Sequence, residues 1–361
     1  MDIINVCDAF SSYKIYITSG CKDFKSVLGA TGFEKNNKIF IITDHMIYSI
    51  YKEKINELFS GFNFKVHVIS SGEKNKNINT VNNIYEFLLK NGSDRSSTLV
   101  AFGGGIVGDL TGFVAATYMR GMKYISIPTT VISMVDSSVG GKVGYNFQNI
   151  KNAIGTFYVP HLVFIDIDYL KTLPEEEFIN GMAEVVKYGV IKEKSLLNYL
   201  KENLKEIMSL EEEKLLYIIK ESMKIKNEVV SRDFRDNNFR NILNFGHTIG
   251  HGIEIASDHR LPHGYAVALG MLAELRLSQY KLGLDEEVYK EVYNLLRNIG
   301  FPTQYKVDNI NLFMYAIKHD KKIENNEINM PLIEKIGLTV TKVVVEENLI
   351  IKAIEESIGR R

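Results

Sequence analysis

Short apolar runs alternate with amphipathic stretches through the first half of the chain. KIFIITD (Lys38–Asp44) reads as a buried strand ending in an acid, FKVHVIS (Phe64–Ser70) as a second, and STLVAF (Ser97–Phe102) as a third. Val81–Lys90 has helical spacing, and another helix is expected from about Gly108, after a run of glycines. KYISIPT (Lys123–Thr129) and HLVFIDI (His161–Ile167) extend the strand series. Strands alternating with helices predict a mostly parallel, doubly wound α/β sheet. After Leu173-Pro174 the pattern changes. From Glu175 to about Ile299 long charged amphipathic segments predict a mainly α-helical region, and from Phe301 on the pattern is mixed. The reading is an α/β domain over 1–174 and a helical domain over 175–361.

Composition changes this picture little. At 361 residues, 45% hydrophobic and 24% charged, the chain suits two ordinary globular domains. A formal net charge of -1 without a long basic run argues against nucleic acid or an anionic membrane as partner. No apolar stretch is long enough to span a bilayer. MDIINVCDAFSSYK has no basic segment followed by an apolar core, so no secretory signal is expected. Cys7 and Cys21 fall in no metal-spaced or redox motif and are read as reduced thiols of a cytoplasmic protein.

The chemistry begins at Gly103-Gly104-Gly105-Ile106-Val107-Gly108-Asp109, a G-x-G-x-x-G between a strand and a helix. Glycines let a backbone approach a pyrophosphate, and a helix N-terminus offers N–H groups and positive dipole. This predicts a Rossmann-like, dinucleotide-binding domain. It is not a standard unit, because the chain reads IPTT where a ribose-binding acid is expected; Asp44 could take that role. A tight turn without ligand is the bland alternative. Thr129, Thr130, Asp136, Ser137, Lys142, Lys151 and Asn152 then crowd a glycine-rich segment read as loops. Its lysines and asparagine suit an anionic substrate, and a solvated loop is the alternative.

In the helical half, Glu184 and Lys187 in NGMAEVVKYG lie three apart on one helix face among apolar neighbours. Arg240, Asn244, His247 and His251 in RNILNFGHTIGH follow i, i+4, i+7, i+11, which predicts one continuous polar helical stripe. His263 precedes a second apolar helix. A carboxylate with two or three histidines is the ligand set of a catalytic zinc-type site. On spacing alone, His247 and His251 could both be ligands. His161, His259 and His319 receive no role.

Taken together, these motifs resemble the 3-dehydroquinate synthase family of sugar-phosphate cyclases. The matching strings are GGGIVGDLTGFVAATYMRG, IPTTVISMVDSSVGGKVG, KNAIGTFY, LKTLPEEEF, NGMAEVVKYG, RNILNFGHTIGH and LPHGYAVALGM, with DKK at Asp320–Lys322 as a later match. The resemblance implies an N-terminal NAD-binding domain, a helical C-terminal domain, a metal (zinc or cobalt) between them, and a homodimer. It implies Glu184, His247 and His263 as metal ligands, which turns His251 into a substrate-side acid–base group. NAD contacts are implied for Asp44, Glu73, Lys76, Gly104, Gly105, Ile106, Asp109, Thr129, Thr130, Ser137, Lys142, Lys151, Thr172, Leu173 and Glu177. Asp136, Lys142, Asn152, Lys187 and His251 are implied as catalytic, and Lys226, Arg240, Asn244 and Lys321 as substrate-binding. Arg120 is implied to reach the partner subunit's phosphate pocket. Met46, two residues past Asp44, departs from the small polar residue that some members carry there.

The implied substrate is a small phosphorylated sugar acid, 3-deoxy-D-arabino-heptulosonate 7-phosphate. The implied reaction runs through transient oxidation by NAD, loss of phosphate, reduction and aldol closure to 3-dehydroquinate, in the shikimate pathway of aromatic amino acid biosynthesis. The rival readings are a cyclase for another sugar phosphate, a metal-dependent polyol dehydrogenase, and a non-catalytic nucleotide-binding regulator.

Overall fold

Seven strands build the sheet of the first of two units, Met1–Leu173 and Pro174–Arg361, in a computed structural model of the chain. The structure describes residues 1–7, 12–33, 37–148, 150–258, 260–318 and 328–359.

The first unit runs β1 (Asp2–Cys7), β2 (Ser12–Thr18), α1 (Phe24–Ala30), β3 (Lys38–Asp44), α2 (His45–Leu58), β4 (Asn63–Ile69), α3 (Ile78–Lys90), β5 (Thr98–Gly103), α4 (Gly105–Thr117), β6 (Lys123–Pro128), β7 (Lys142–Phe147), β8 (Ile150–Phe157) and β9 (Leu162–Asp166). The sheet order is β1-β2-β9-β6-β5-β3-β4, parallel throughout except for β1, which pairs antiparallel with β2 at one edge. The inner strands read as apolar runs because helices cover both faces. Phe40, Ile42, Leu88, Leu99, Val107 and Leu110 meet in one buried cluster. Side chains set two helix starts: Asp44 accepts from the N–H groups of Met46 and Ile47 at 2.9 and 3.1 Å, and Asn77 from those of Asn79 and Thr80 at 2.9 and 3.2 Å.

Two features of the first unit depart from the sequence expectation. The segment after the glycines is not a set of loops, because β7 and β8 pair as an antiparallel hairpin. Gly144 and Gly155 stand opposite each other in it, and a Cβ on Gly144 would come within 2.4 Å of the Ile154 carbonyl oxygen, so small residues here permit pairing. The helix after the glycines also starts at Gly105, about one turn before the expected Gly108. The end of β5 sets its origin, which glycine's low helix propensity obscures.

The second unit is helical: α5 (Glu175–Ile191), α6 (Lys194–Glu202), α7 (Leu204–Met208), α8 (Glu212–Arg232), α9 (His247–Ala256), α10 (His263–Leu282), α11 (Glu286–Ile299), α12 (Ile310–Lys318) and α13 (Glu347–Ser357). The mixed tail contributes a hairpin of β10 (Asn329–Lys335) and β11 (Leu338–Val344). α10 is apolar nearly all round, and Ala266 to Ala273 are all buried, so it is the central helix of this unit. Among the described residues no helix is long and apolar enough to cross a membrane.

Candidate metal centre and nucleotide-binding turn

Three helices of the second unit bring one carboxylate and two imidazoles together. Glu184 lies mid-way along α5, and His247 and His263 are the first residues of α9 and α10. Close backbone approaches set this arrangement. A Cβ on Gly270 of α10 would fall 2.0 Å from the Gly246 carbonyl oxygen, and one on Gly264 would fall 1.8 Å from that of Asn180. Asn180, one turn before Glu184, also accepts the Gly264 N–H at 2.6 Å, tying the start of α10 to α5.

The continuous polar stripe expected from Arg240 to His251 does not form. Phe239–Asn244 is a separate 3-10 turn, and Gly246, with φ of 80°, breaks the backbone before α9 begins. The break is held by Glu274, a buried carboxylate of α10 that accepts the Gly246 N–H at 2.6 Å and the Ile249 N–H at 3.4 Å. A carboxylate at a helix N-terminus is favourable both as cap and against the dipole. Arg240 is consequently on another element from His247, buried and donating to the Phe234 carbonyl at 2.8 Å. Asn244 donates to Asn241 at 2.7 Å.

Nε2 of His247 and of His263 lie 3.3 and 3.8 Å from Oε1 of Glu184. That oxygen has no hydrogen-bond donor in good geometry among the described residues, although the side chain is 1% exposed; Lys187 takes the other oxygen. Nδ1 of His247 faces the Phe245 carbonyl at 3.2 Å, and Nδ1 of His263 faces Glu254 at 3.5 Å. Burial raises the Glu184 carboxyl, but Lys187 and then His247 more than reverse this and hold it well below the usual carboxylate range. Burial and Lys187 push His247 down to about 4, leaving a neutral ring at neutral pH. Burial opposes a charge on His263 as well, yet Glu184 and Glu254 outweigh it and hold its proton up to about 9. A buried carboxylate oxygen faced by two ring nitrogens fits a divalent cation, and donors of this kind suit zinc or cobalt.

His251 belongs to the same cluster, its ring 5.5 Å from that of His247 and 5.9 Å from that of His263. Two metal-competent groups occur among the described residues, Glu184–His247–His263 and His251–Glu254–His263, and neither contains both His247 and His251. Lys226 is buried in α8. Lys321, like His259 and His319, lies outside the described residues.

In the first unit β3 leads outward to β4, whereas β5 returns to the other flank of β3 and continues to β6. The chain direction across the sheet thus reverses between β3 and β5, and crevices at such switch points, beyond the carboxyl ends of the strands, bind ligands. Asp44 ends β3 and Gly103 ends β5. No side chain caps α4, whose N-cap is Gly104. A Cβ on Gly103 would lie 2.7 Å from the Val107 side chain, and Cβ atoms on Gly104 and Gly105 would lie 3.2 and 3.1 Å from Thr130 and Ser137. Ser137 reaches this neighbourhood from a π-helical turn, Ser133–Ser137, which also carries Asp136. A small cleft lined by Gly104, Asp109, Tyr124, Ser133, Ser137 and Val143 adjoins the turn. One Asp44 oxygen already caps α2 and accepts from Ser71 at 3.0 Å. The backbone cradle and uncapped helix fit a dinucleotide pyrophosphate.

Lys76 is buried and donates to Asp109 and Asn152, each at 2.5 Å. Asn146 joins this network, donating to Glu73 at 2.8 Å and accepting the Asn152 N–H at 2.8 Å, where Asn152 has φ of 51°. Thr129 is buried with its hydroxyl unpartnered among the described residues, Thr130 pairs with Ser133 at 2.9 Å, and Thr172 pairs with Tyr51. Lys142 and Arg120 are exposed, Arg120 with φ of 68°, and Lys151 is half-buried in β8. Ile106 is in the first turn of α4, Leu173 closes the unit, and Glu177 in α5 accepts from Asn180 at 3.3 Å. Asn146, Glu254 and Glu274 escape the sequence reading. Each is a polar residue whose partner lies on another element or a distant turn, and only the acid three residues after His251 carries a local hint.

The 3-dehydroquinate synthase N-terminal family model matches residues 66–180, and the 3-dehydroquinate synthase C-terminal model matches residues 181–323. A 3-dehydroquinate synthase of Clostridium tetani is 48% identical over 347 residues, covering 96% of this chain and 93% of the relative. Among solved structures, 2-deoxy-scyllo-inosose synthase complexed with carbaglucose-6-phosphate, NAD+ and Co2+ superposes with a TM-score of 0.90 at 25% identity, covering 99% of this chain and 100% of the other. The 2-epi-5-epi-valiolone synthase of Streptomyces hygroscopicus subsp. jinggangensis with NAD+ and Zn2+ gives a TM-score of 0.88 at 26% identity, covering 97% of this chain and 98% of the other.

Proposed function

The chain belongs to the 3-dehydroquinate synthase family, and from that premise we propose that it is an NAD- and divalent-metal-dependent lyase. It converts 3-deoxy-D-arabino-heptulosonate 7-phosphate into 3-dehydroquinate and phosphate, a step of the shikimate pathway. The observation that carries this reading is the approach of two Nε2 atoms to Oε1 of Glu184, at 3.3 and 3.8 Å, in a chain that also has a glycine cradle at a sheet switch point. Bound NAD would supply a reversible hydride acceptor, and a bound zinc or cobalt ion would supply Lewis acidity toward the substrate hydroxyls.

Glu184, His247 and His263 would hold the cation and leave a position for substrate. The N–H groups at the start of α4, with Gly104, Gly105 and Ile106, would hold the pyrophosphate, and Asp44, Glu73, Asp109, Thr129, Thr130 and Ser137 would contact other parts of the dinucleotide. Lys142 and Asn152, with Arg120 of a second subunit, offer N–H donors to the leaving phosphate. Fixing that phosphate selects the conformer aligned for elimination. Lys226 and Arg240 are the cations for the substrate carboxylate, and His251 moves a proton. Lys187 keeps Glu184 ionised and ready to ligate. A homodimer is supported by Phe147, Ile150, Ile154 and Phe157, which leave the β7–β8 hairpin with exposed apolar surface. The free thiols Cys7 and Cys21 fit a reducing cytoplasm.

A cyclase for a sugar phosphate without a carboxylate is the second reading, favoured by the structural likenesses; buried Lys226 and Arg240 speak for the sugar acid. Phosphate release with catalytic NAD separates these readings. One phosphate per heptulosonate phosphate without net NADH is expected. Stoichiometric NADH from a polyol would overturn the lyase reading, and turnover restricted to uncarboxylated sugar phosphates would favour the second.

A further inference from the structure

We propose that Glu254 is a positioning residue for His263, holding its Nδ1–H so that Nε2 is presented to the cation; this rests on the reading of Glu184, His247 and His263 as the cation's ligands. Glu254 lies near the end of α9 and is 3% exposed, so its carboxylate is almost wholly removed from water. A buried carboxylate is strongly unfavourable without a proton donor or cation beside it. Its Oε2 lies 3.5 Å from Nδ1 of His263, at the outer edge of hydrogen-bond range, and bonds of this kind tighten when a site is filled.

The His263 ring is therefore bracketed by two carboxylates, Glu254 at Nδ1 and Glu184 at Nε2, the latter 3.8 Å away. A neutral imidazole carries one proton. An acceptor fixed at Nδ1 keeps the proton there and leaves the Nε2 lone pair free for a metal. His247 receives the same service from the Phe245 main-chain carbonyl at 3.2 Å. The acceptors differ in charge, so the two ligands differ in kind: a main-chain carbonyl sets His247, whereas His263 depends on a side chain that can be replaced. Glu254 also stands in the group His251–Glu254–His263, where it would be a ligand itself. The two roles exclude each other at His263, because a metal at Nδ1 would displace the proton that Glu254 accepts.

Zinc affinity measured by competition with a chromophoric chelator tests this, alongside the Tm of the metal-free protein. Glu254→Ala is expected to weaken zinc binding by about 10–100-fold at unchanged one-to-one stoichiometry. Glu254→Gln, whose amide oxygen still accepts the Nδ1–H, is expected to recover most of that loss. Affinity within about twofold of wild type in Glu254→Ala would overturn the proposal, as would equal loss of stoichiometric zinc in both variants, the signature of a direct ligand. Wild-type protein that binds no zinc would instead overturn the cation reading on which the proposal rests. If Glu254→Ala does not fold, imidazole nitrogen NMR of the zinc-loaded wild type decides: a protonated Nδ1 on His263 supports the proposal, and a zinc-bound Nδ1 overturns it.

Discussion

Lys187 donates to Glu184 from one turn further along α5, and the two side chains are 2% and 1% exposed, a salt bridge sealed inside the second unit. Two buried charges so placed are tolerable only together. Removing the ammonium leaves the buried carboxylate to be neutralised by a bound cation or by proton uptake at the site. Lys187→Met is therefore expected to destabilise the metal-free protein by about 3–5 kcal/mol and the zinc-saturated protein by much less. Thermal unfolding with chelator and with excess zinc checks this; equal loss in both conditions would show that zinc does not neutralise Glu184.

His247 and His251 sit one turn apart on α9 and are expected to fail differently. His247→Ala should lose metal and activity together. His251→Ala should keep metal at full stoichiometry and lose turnover. Metal analysis beside phosphate release reads both, and metal loss in His251→Ala would restore the reading in which the two histidines ligate together.

Gly270 is where α10 presses on the turn that starts α9, since an added Cβ would sit 2.0 Å from the Gly246 oxygen. Neither main chain can yield easily. Gly270→Ala is expected to cost at least about 1–3 kcal/mol by overpacking and to weaken zinc binding by displacing His247 from His263. Denaturant unfolding and chelator competition measure the two effects; unchanged zinc affinity in a destabilised variant would separate the helix contact from the site.

Asp94 offers a pH test far from the site. Bonds from Ser96 and then Lys38 hold its carboxyl well below its ordinary value of 3.8. A depressed carboxyl contributes stability that is present above the ordinary value and is lost as pH falls through the depressed one. The Tm gap between wild type and Asp94→Asn should be widest near neutral pH and should close progressively below pH 3.8. Because Asp94 is half exposed, the gap should be modest. A gap that widens on acidification would contradict the assigned bonds.

Much of the candidate site was legible in the chain itself. Glycine clusters, an acid at a strand end and imidazoles at regular spacing are local patterns, and local patterns report which chemistry a segment can carry. Gly103–Asp109 announced a strand-to-helix turn, and apolar runs such as Lys38–Asp44 announced buried parallel strands, because burial on both faces demands that composition. Periodicity failed at Gly246, where a positive φ stabilised by Glu274 from another helix broke what spacing read as one helix. It failed again at β7–β8, whose pairing depends on two glycines eleven residues apart facing each other.

The tertiary structure alone decided which atoms meet. Spacing could not choose between His251 and His263 as companion to His247, because the choice turns on how closely α5, α9 and α10 pack, and that is set by Gly264 and Gly270 against main-chain oxygens. The roles of Glu254, Glu274 and Asn146 were likewise invisible, since each is defined by a partner distant in the chain or held by another element. A sequence determines the kinds of donor and acceptor a protein owns. Whether a buried one is satisfied, and by what, depends on distances that only the folded packing sets.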